Sequence, residues 1–208
     1  MMMILPMNTW TLYGYFLNLI NIGFIIRRIS YIISLIEKLC LLIKKGLTRM
    51  FDFFKKNKEI VAPVTGKVVD LSEVPDEVFA QKLAGDGVAI VPTGNEIVSP
   101  ADGTLTLLFG TGHAFAITMK NGIELLVHIG IDTVALSGKG FTKLVEQGVK
   151  VKAGTPIVRI EKEAIEAEGY SLITPVLVTN PDVVSELKGA IGIEAKAGET
   201  PIIDYTLA

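Results

Sequence analysis

From Ile60 onward the chain breaks repeatedly into short runs rich in Val, Ile, Leu and Thr, each bounded by Gly, Pro, Asn or Asp: GKVVDL, DGVAIVP, GTLTLLF, HAFAITM, IELLVHIGI, TPIVRI and TPVLVTN. Runs this short and this β-branched read as strands, and the residues between them carry turn chemistry. The expectation is an all-β fold, an antiparallel β-sandwich or flattened barrel with a few short helices. Three stretches carry helical signals. They are residues 76–84 after Pro75, residues 141–147 ending at Gly148, and KEAIEAEG.

The strand text also echoes itself. APVTGKVVDL (residues 62–71) and SPADGTLTLL (residues 99–108) share a Pro, two intervening residues, a Gly and then an alternating strand. Pro presets the turn and Gly supplies its unusual φ. A favoured turn before a strand explains the pattern locally, and a sandwich of two pseudo-symmetric halves would contain it as well. VKVKAGTPIVRI (residues 149–160) has a similar turn and strand.

Charge divides the 208 residues into unlike segments. Residues 1–49 carry six Lys/Arg and one acid, whereas the remaining 159 residues carry 14 basic and 21 acidic side chains. An acidic body without a basic stripe does not gather nucleic acid. The single cysteine, Cys40, lies in the front segment, so the body has neither a disulfide framework nor a cysteine zinc site.

The front segment, a hydrophobic basic extension over 1–49, contains TWTLYGYFLNLINIGFII followed by Arg27 and Arg28. That run is about as long as a membrane span requires. The basic residues behind it would leave the acidic body on the cytoplasmic side, tethered to the inner face of the membrane. A second apolar run, residues 29–43, is cut by Glu37 and Lys38 and reads as an interfacial helix at least as well as a second span. The other reading is an over-extended start, with Met50 opening a short amphipathic lead-in over 50–59 and the folded domain occupying 60–208.

Only two histidines exist, His113 and His128, and both fall in HAFAITMKNGIELLVHI. Asn121-Gly122 between alternating runs signals a β-hairpin. A two-residue loop at Asn121-Gly122 puts His128 opposite Phe115 and diagonal to His113. A loop at Lys120-Asn121 puts the histidines directly opposite, and a three-residue loop without a compensating bulge separates them. Paired imidazoles support nucleophilic catalysis, general acid–base catalysis or half of a metal site. Zinc would need a third ligand, Asp132 or a carboxylate from a partner, beside His113 and His128. Neither a metallopeptidase HExxH nor a P-loop is present, so a phosphoryl donor would be another protein. No cofactor is expected.

At LLVHIGIDTV (residues 125–134) the chain resembles the glucose-type enzyme IIA component of the bacterial phosphoenolpyruvate-dependent sugar phosphotransferase system. IVAPVTGKVV, VPDEVFAQKLAGDGVAI, PTGNEIVSPADGTL and FGTGHAF support the resemblance over residues 60–208. It implies that His128 accepts a phosphoryl group from the phosphocarrier protein HPr and passes it to a cysteine of the enzyme IIB domain of a IIB/IIC sugar permease. It implies that His113 assists transfer and that Thr111 hydrogen-bonds the active imidazole. It also assigns a docking rim to Val78, Phe79, Phe109, Leu126 and Val134, with Asp76 and Asp132 set to meet basic groups on partners. An acidic rim of this kind is expected to raise the histidine pKa. Gly112 departs from the family pattern, in which many relatives have Asn.

Two further functions stay open on the residues alone. The same rim suits a regulatory module whose partners sense its phosphorylation state, and the two histidines suit a zinc hydrolase.

Overall fold

The computed structural model describes residues 58–208. The membrane-anchor and over-extended-start readings of residues 1–49, and most of the lead-in, lie outside the described residues. Fourteen strands follow in order: β1 (Lys58–Val61), β2 (Gly66–Val69), β3 (Asp86–Pro92), β4 (Glu96–Val98), β5 (Gly103–Leu108), β6 (Ala114–Met119), β7 (Glu124–His128), β8 (Phe141–Lys143), β9 (Lys150–Val151), β10 (Pro156–Ile160), β11 (Thr174–Val178), β12 (Val184–Gly189), β13 (Glu194–Ala195) and β14 (Pro201–Leu207). Two short α-helices, α1 (Glu77–Ala80) and α2 (Lys162–Ala167), and three 3₁₀ turns complete the described chain.

The strands form an eight-stranded sheet ordered β13-β2-β3-β11-β7-β6-β5-β9 and two three-stranded sheets, β1-β14-β12 and β4-β10-β8. All pairings are antiparallel. Side chains of a strand point alternately to the two faces, so each strand can serve two layers. Val68, Val88, Ile90, Leu125, Val127, Val176 and Val178 enter the main core with Ile60, Ile97, Ile157 and Ile202 from the smaller sheets. Their neighbours Val69, Ala89, Leu126 and Leu177 face the other way. There they join Leu71, Val74 and Phe79 from the β2–β3 connection, and Ile131 and Ile173, in a second apolar cluster.

The echo in the sequence is a two-fold relation in the fold. Read from its two ends, the large sheet pairs β13 with β9, β2 with β5, β3 with β6 and β11 with β7 as equivalents, and the two small sheets correspond as wholes. The hydrogen bonds repeat with it. Ala62 N donates to Thr200 O (2.9 Å) where Ser99 N donates to Thr155 O (2.8 Å), and Gly198 N donates to Ala62 O (2.8 Å) where Gly154 N donates to Ser99 O (2.9 Å). A second echo therefore exists: VKAGTPIV (residues 151–158) is matched by AKAGETPII (residues 195–203), with Glu199 as an added residue. Each turn of the first echo is bonded to a turn of the second within its own half, and the halves interlock through Val61 N donating to Pro100 O (2.9 Å) and Val98 N donating to Pro63 O (2.7 Å).

The helical expectations fare unequally. KEAIEAEG does hold a helix, α2. The first candidate shrinks to the single turn α1, where the Asp76 carboxylate accepts from the backbone N–H groups of Val78 (2.8 Å) and Phe79 (3.4 Å). Lys82, at φ 59°, ends the turn before Ala84 is reached. Residues 141–147 are not helical. Phe141–Lys143 pairs with β10, Phe141 opposite Ile160, because Gly138 and Gly140 turn the chain with φ of 91° and 83° and deliver it alongside that strand.

Candidate functional site

The hairpin of β6 and β7 closes through three residues, Lys120-Asn121-Gly122. Met119 N donates to Ile123 O (2.8 Å), Gly122 N to Met119 O (3.1 Å), and Gly122 has a φ of 88°. This is the turn followed by a left-handed glycine that three-residue hairpins use. Asn180 pins it: its Oδ1 accepts from Glu124 N (2.9 Å) and its Nδ2 donates to Gly122 O (2.8 Å). The resulting register sets His128 opposite Ala114, so neither two-residue loop is correct.

The histidines meet nonetheless, with ring centroids 5.2 Å apart and planes at 73°. Strict alternation would have put His113 on the far side of the sheet. It escapes alternation because it precedes β6, in a turn where Gly112 N donates to Phe109 O (2.9 Å) and Gly112 has a φ of 73°. The His113 carbonyl still accepts from Ile129 N (2.7 Å), which ties the turn to the residue following His128. Gly112 is suited to this place. Its conformation favours glycine, and a Cβ there would stand 3.2 Å from Cβ of Phe141.

His128 is half-buried at the end of β7, and its Nδ1 lies 2.7 Å from the carbonyl oxygen of Gly130. A carbonyl only accepts, so Nδ1 carries the proton and the lone pair of the neutral ring sits on Nε2. The segment holding that carbonyl is fixed by Ile131 N donating to Ser171 O (2.8 Å) and Thr133 Oγ1 donating to Ile129 O (2.6 Å). His113 is buried, 5% exposed, and its Nδ1 lies 2.5 Å from Thr111 Oγ1. The hydroxyl of Thr111 thus holds His113, not the imidazole of His128 that the resemblance had implied.

Two phenyl rings flank the pair, Phe79 at 5.2 Å from His128 and Phe109 at 4.9 Å from His113, centroid to centroid. Burial pushes His128 below its ordinary value of 6.5, outweighing the Gly130 carbonyl and the charges of Asp76 and Asp132, which act upward. His113 is likewise lowered, by burial and then by the nearby His128. The acidic rim does act upward on His128 as expected, but burial outweighs it and the net shift is downward. Desolvation wins, and both rings are neutral at physiological pH.

Around the pair, Val78 (48% exposed), Phe109 (40%) and Val134 (53%) are open to solvent, as is Asp132. Asp76 and Leu126 are partly covered, and Phe79 is buried at 8% exposure. The rim residues named from sequence therefore divide into an exposed set, the partly covered Asp76 and Leu126, and the buried Phe79. Sequence reasoning missed Gly130, whose signal was the HIG step directly after the histidine. Among the described residues no group of three His, Cys, Asp or Glu is placed to hold a metal ion.

Residues 58–184 match the family described as phosphoenolpyruvate-dependent sugar phosphotransferase system, EIIA 1. The chain belongs to this family. This EIIA chain is 46% identical over 143 residues to the glucose-specific EIIA component of the phosphotransferase system of Borreliella burgdorferi, an alignment covering 68% of this chain and 76% of that protein. It is 47% identical over 150 residues to the N-acetylglucosamine-specific EIICBA component of Klebsiella pneumoniae, covering 72% of this chain but 23% of that protein. Among solved structures it is similar to glucose permease IIA from Mycoplasma capricolum, with a TM-score of 0.66, 38% identity, and coverage of 72% of this chain and 97% of that one. The EIIA chain is a phosphocarrier component in sugar phosphotransfer, and its mainly β, antiparallel fold is that of glucose permease IIA.

Proposed function

We propose that His128 is the phosphoacceptor, with Nε2 as nucleophile, and that the phosphoryl group comes from phospho-HPr and leaves to a cysteine of an enzyme IIB domain. The observation that carries this reading is the Nδ1 contact to Gly130, which commits the proton to one nitrogen and leaves the other free. As the bond from phosphorus to the donor breaks, the Nε2–P bond forms; in the second step that bond breaks as a P–S bond forms. In this reading the Thr111 hydroxyl, 2.5 Å from Nδ1 of His113, donates to it and so keeps a proton on His113 Nε2 for the developing charge on the phosphoryl oxygens.

Val78, Phe109 and Val134 form the apolar docking rim, with Leu126 at its inner edge, and Asp76 and Asp132 attract basic groups on both partners. A relative that carries EIIC, EIIB and EIIA in one chain supports enzyme IIB/IIC as the acceptor. A carrier between HPr and the inner side of a permease works in the cytoplasm.

The test supplies phosphoenolpyruvate, enzyme I and HPr to the full chain. Acid-labile label is expected on the wild type and lost in His128→Ala; label that persists in the variant overturns the assignment. The exposed apolar rim also favours a second role, binding of regulatory partners according to phosphorylation state. Pull-downs with phosphorylated and unphosphorylated protein test it, and identical partner sets in the two states would exclude it.

A further inference from the structure

The two-fold relation exposes one asymmetry at the site. Counting from the equivalent pairs Gly66–Pro92 and Gly103–Met119, the Gly87–Leu177 pair of β3 and β11 corresponds to the Ala114–His128 pair of β6 and β7. One half therefore has leucine where the other has the histidine. The connections differ as well: residues 70–85 join β2 to β3, whereas only residues 109–113 join β5 to β6. The longer connection crosses the outer face of the large sheet and packs Leu71, Val74 and Phe79 against Leu177. Phe79 then extends from this buried cluster to His128.

We infer that Phe79 is a positioning residue for His128 rather than a docking residue: its buried ring and the ring of His113 hold the imidazole with Nδ1 on the Gly130 carbonyl and Nε2 free. The inference rests on the reading of His128 as phosphoacceptor. Phe79 and His113 each have their ring centroid 5.2 Å from that of His128, at interplanar angles of 51° and 73°. The second torsion of histidine is broad and roughly two-fold. Half a turn about it would replace Nδ1 by a carbon against Gly130, and a flat wall of fixed depth resists that motion where a flexible aliphatic chain would not. Phe79 itself is held by its cluster and by the Asp76 cap on its backbone N–H. At 8% exposure it offers a partner little surface, whereas Val78, the preceding residue, is 48% exposed.

The test compares Phe79→Leu and Val78→Ala in the full chain, read by imidazole ¹H–¹⁵N spectra across a pH titration and by steady-state transfer from phospho-HPr. The charged and titratable groups acting on His128 are Asp76, Asp132 and His113, and all three remain in both variants. In Phe79→Leu the His128 spectrum is expected to show both tautomers and a pKa closer to its ordinary value. Its kcat is expected to fall on the order of tenfold, with KM for phospho-HPr changed by less than about twofold. Val78→Ala should raise KM and keep the native spectrum. A Phe79→Leu protein that raises KM alone, with native tautomer and titration, overturns the inference. Should Phe79→Leu fail to fold, Phe79→Met, whose unbranched chain adapts to an irregular gap, gives the same readouts. The spectra report on the ring whether or not it is the acceptor, so failure of the acceptor reading in His128→Ala is distinguishable from failure of this one.

Discussion

The carbonyl oxygen of Gly130 and Nδ1 of His128 stand 2.7 Å apart, a contact between residues two apart in sequence that decides which nitrogen of the imidazole is nucleophilic. The carbonyl can reach back only because Gly130 has a φ of 77° and no side chain. A Cβ there would lie 2.6 Å from the Ser171 carbonyl oxygen and 2.6 Å from Cγ2 of Thr133. Gly130→Ala is therefore expected to cost about 2–4 kcal/mol from left-handed strain and overlap with fixed backbone. It should also shift the tautomer of His128. Urea denaturation and imidazole spectra check both, and a variant with native stability and a native spectrum would refute the coupling.

Acidification supplies a second prediction. Both imidazoles are lowered chiefly by burial, so the folded protein takes up their protons at lower pH than the unfolded chain, where histidine titrates near 6.5. Between those values the unfolded state binds more protons, so stability falls as pH falls through 6.5 toward the folded pKa values, and is fully present above 6.5. The carboxylates also titrate in acid, so the comparison is with His128→Gln. Urea midpoints at pH 7.5 and 5.5 should separate more in the wild type than in the variant; equal separations would show that burial of this ring does not govern the trend.

Thr111 offers a way to disturb the second histidine without touching the first. Thr111→Val keeps the shape and removes the hydroxyl 2.5 Å from His113 Nδ1. The loss is expected to cost about 1 kcal/mol in stability. Loading of His128 from phospho-HPr should persist, while transfer to enzyme IIB falls on the order of tenfold, toward the level of His113→Ala. Single-turnover transfer from the purified phosphoprotein measures it. Equal loss in loading and onward transfer would mean that Thr111 does not act through His113.

Sheet class and the duplication were legible because they reside in local signals, β-branched runs, turn residues and the repeated Pro-x-x-Gly, whereas the seven runs quoted from the sequence fall well short of the fourteen strands of the fold. The pairing of His113 with His128 was legible only in outcome. Its mechanism was misread, since the three-residue loop with Gly122 left-handed and the escape of His113 from alternation depend on backbone torsions no strand pattern carries. The fate of Phe141 shows the same limit: its run is short enough for a strand or a helical turn, and the neighbouring β10 decides. Electrostatics at the site failed for a different reason. Asp76 and Asp132 are visible in sequence, but the depth at which His128 is buried is a property of the packed sheet, and it outweighs both charges.

The interlock of the halves can itself be tested at Gly154 and Gly198, which occupy equivalent turns and meet across the two-fold relation. Both have positive φ, 82° and 72°, so alanine is strained at either position. Space separates them. A Cβ on Gly154 would have its nearest neighbour at 3.6 Å, the Cα of Gly198, whereas a Cβ on Gly198 would lie 2.7 Å from the Cα of Gly154. Gly154→Ala is thus expected to cost about 1 kcal/mol from its torsion, and Gly198→Ala about 3 kcal/mol or more, because backbone must move to admit the methyl group. The turns being in contact, the double variant should depart from additivity. Urea denaturation of the three proteins measures this. Equal single costs that add in the double variant would mean that the two halves do not bear on each other at this crossing.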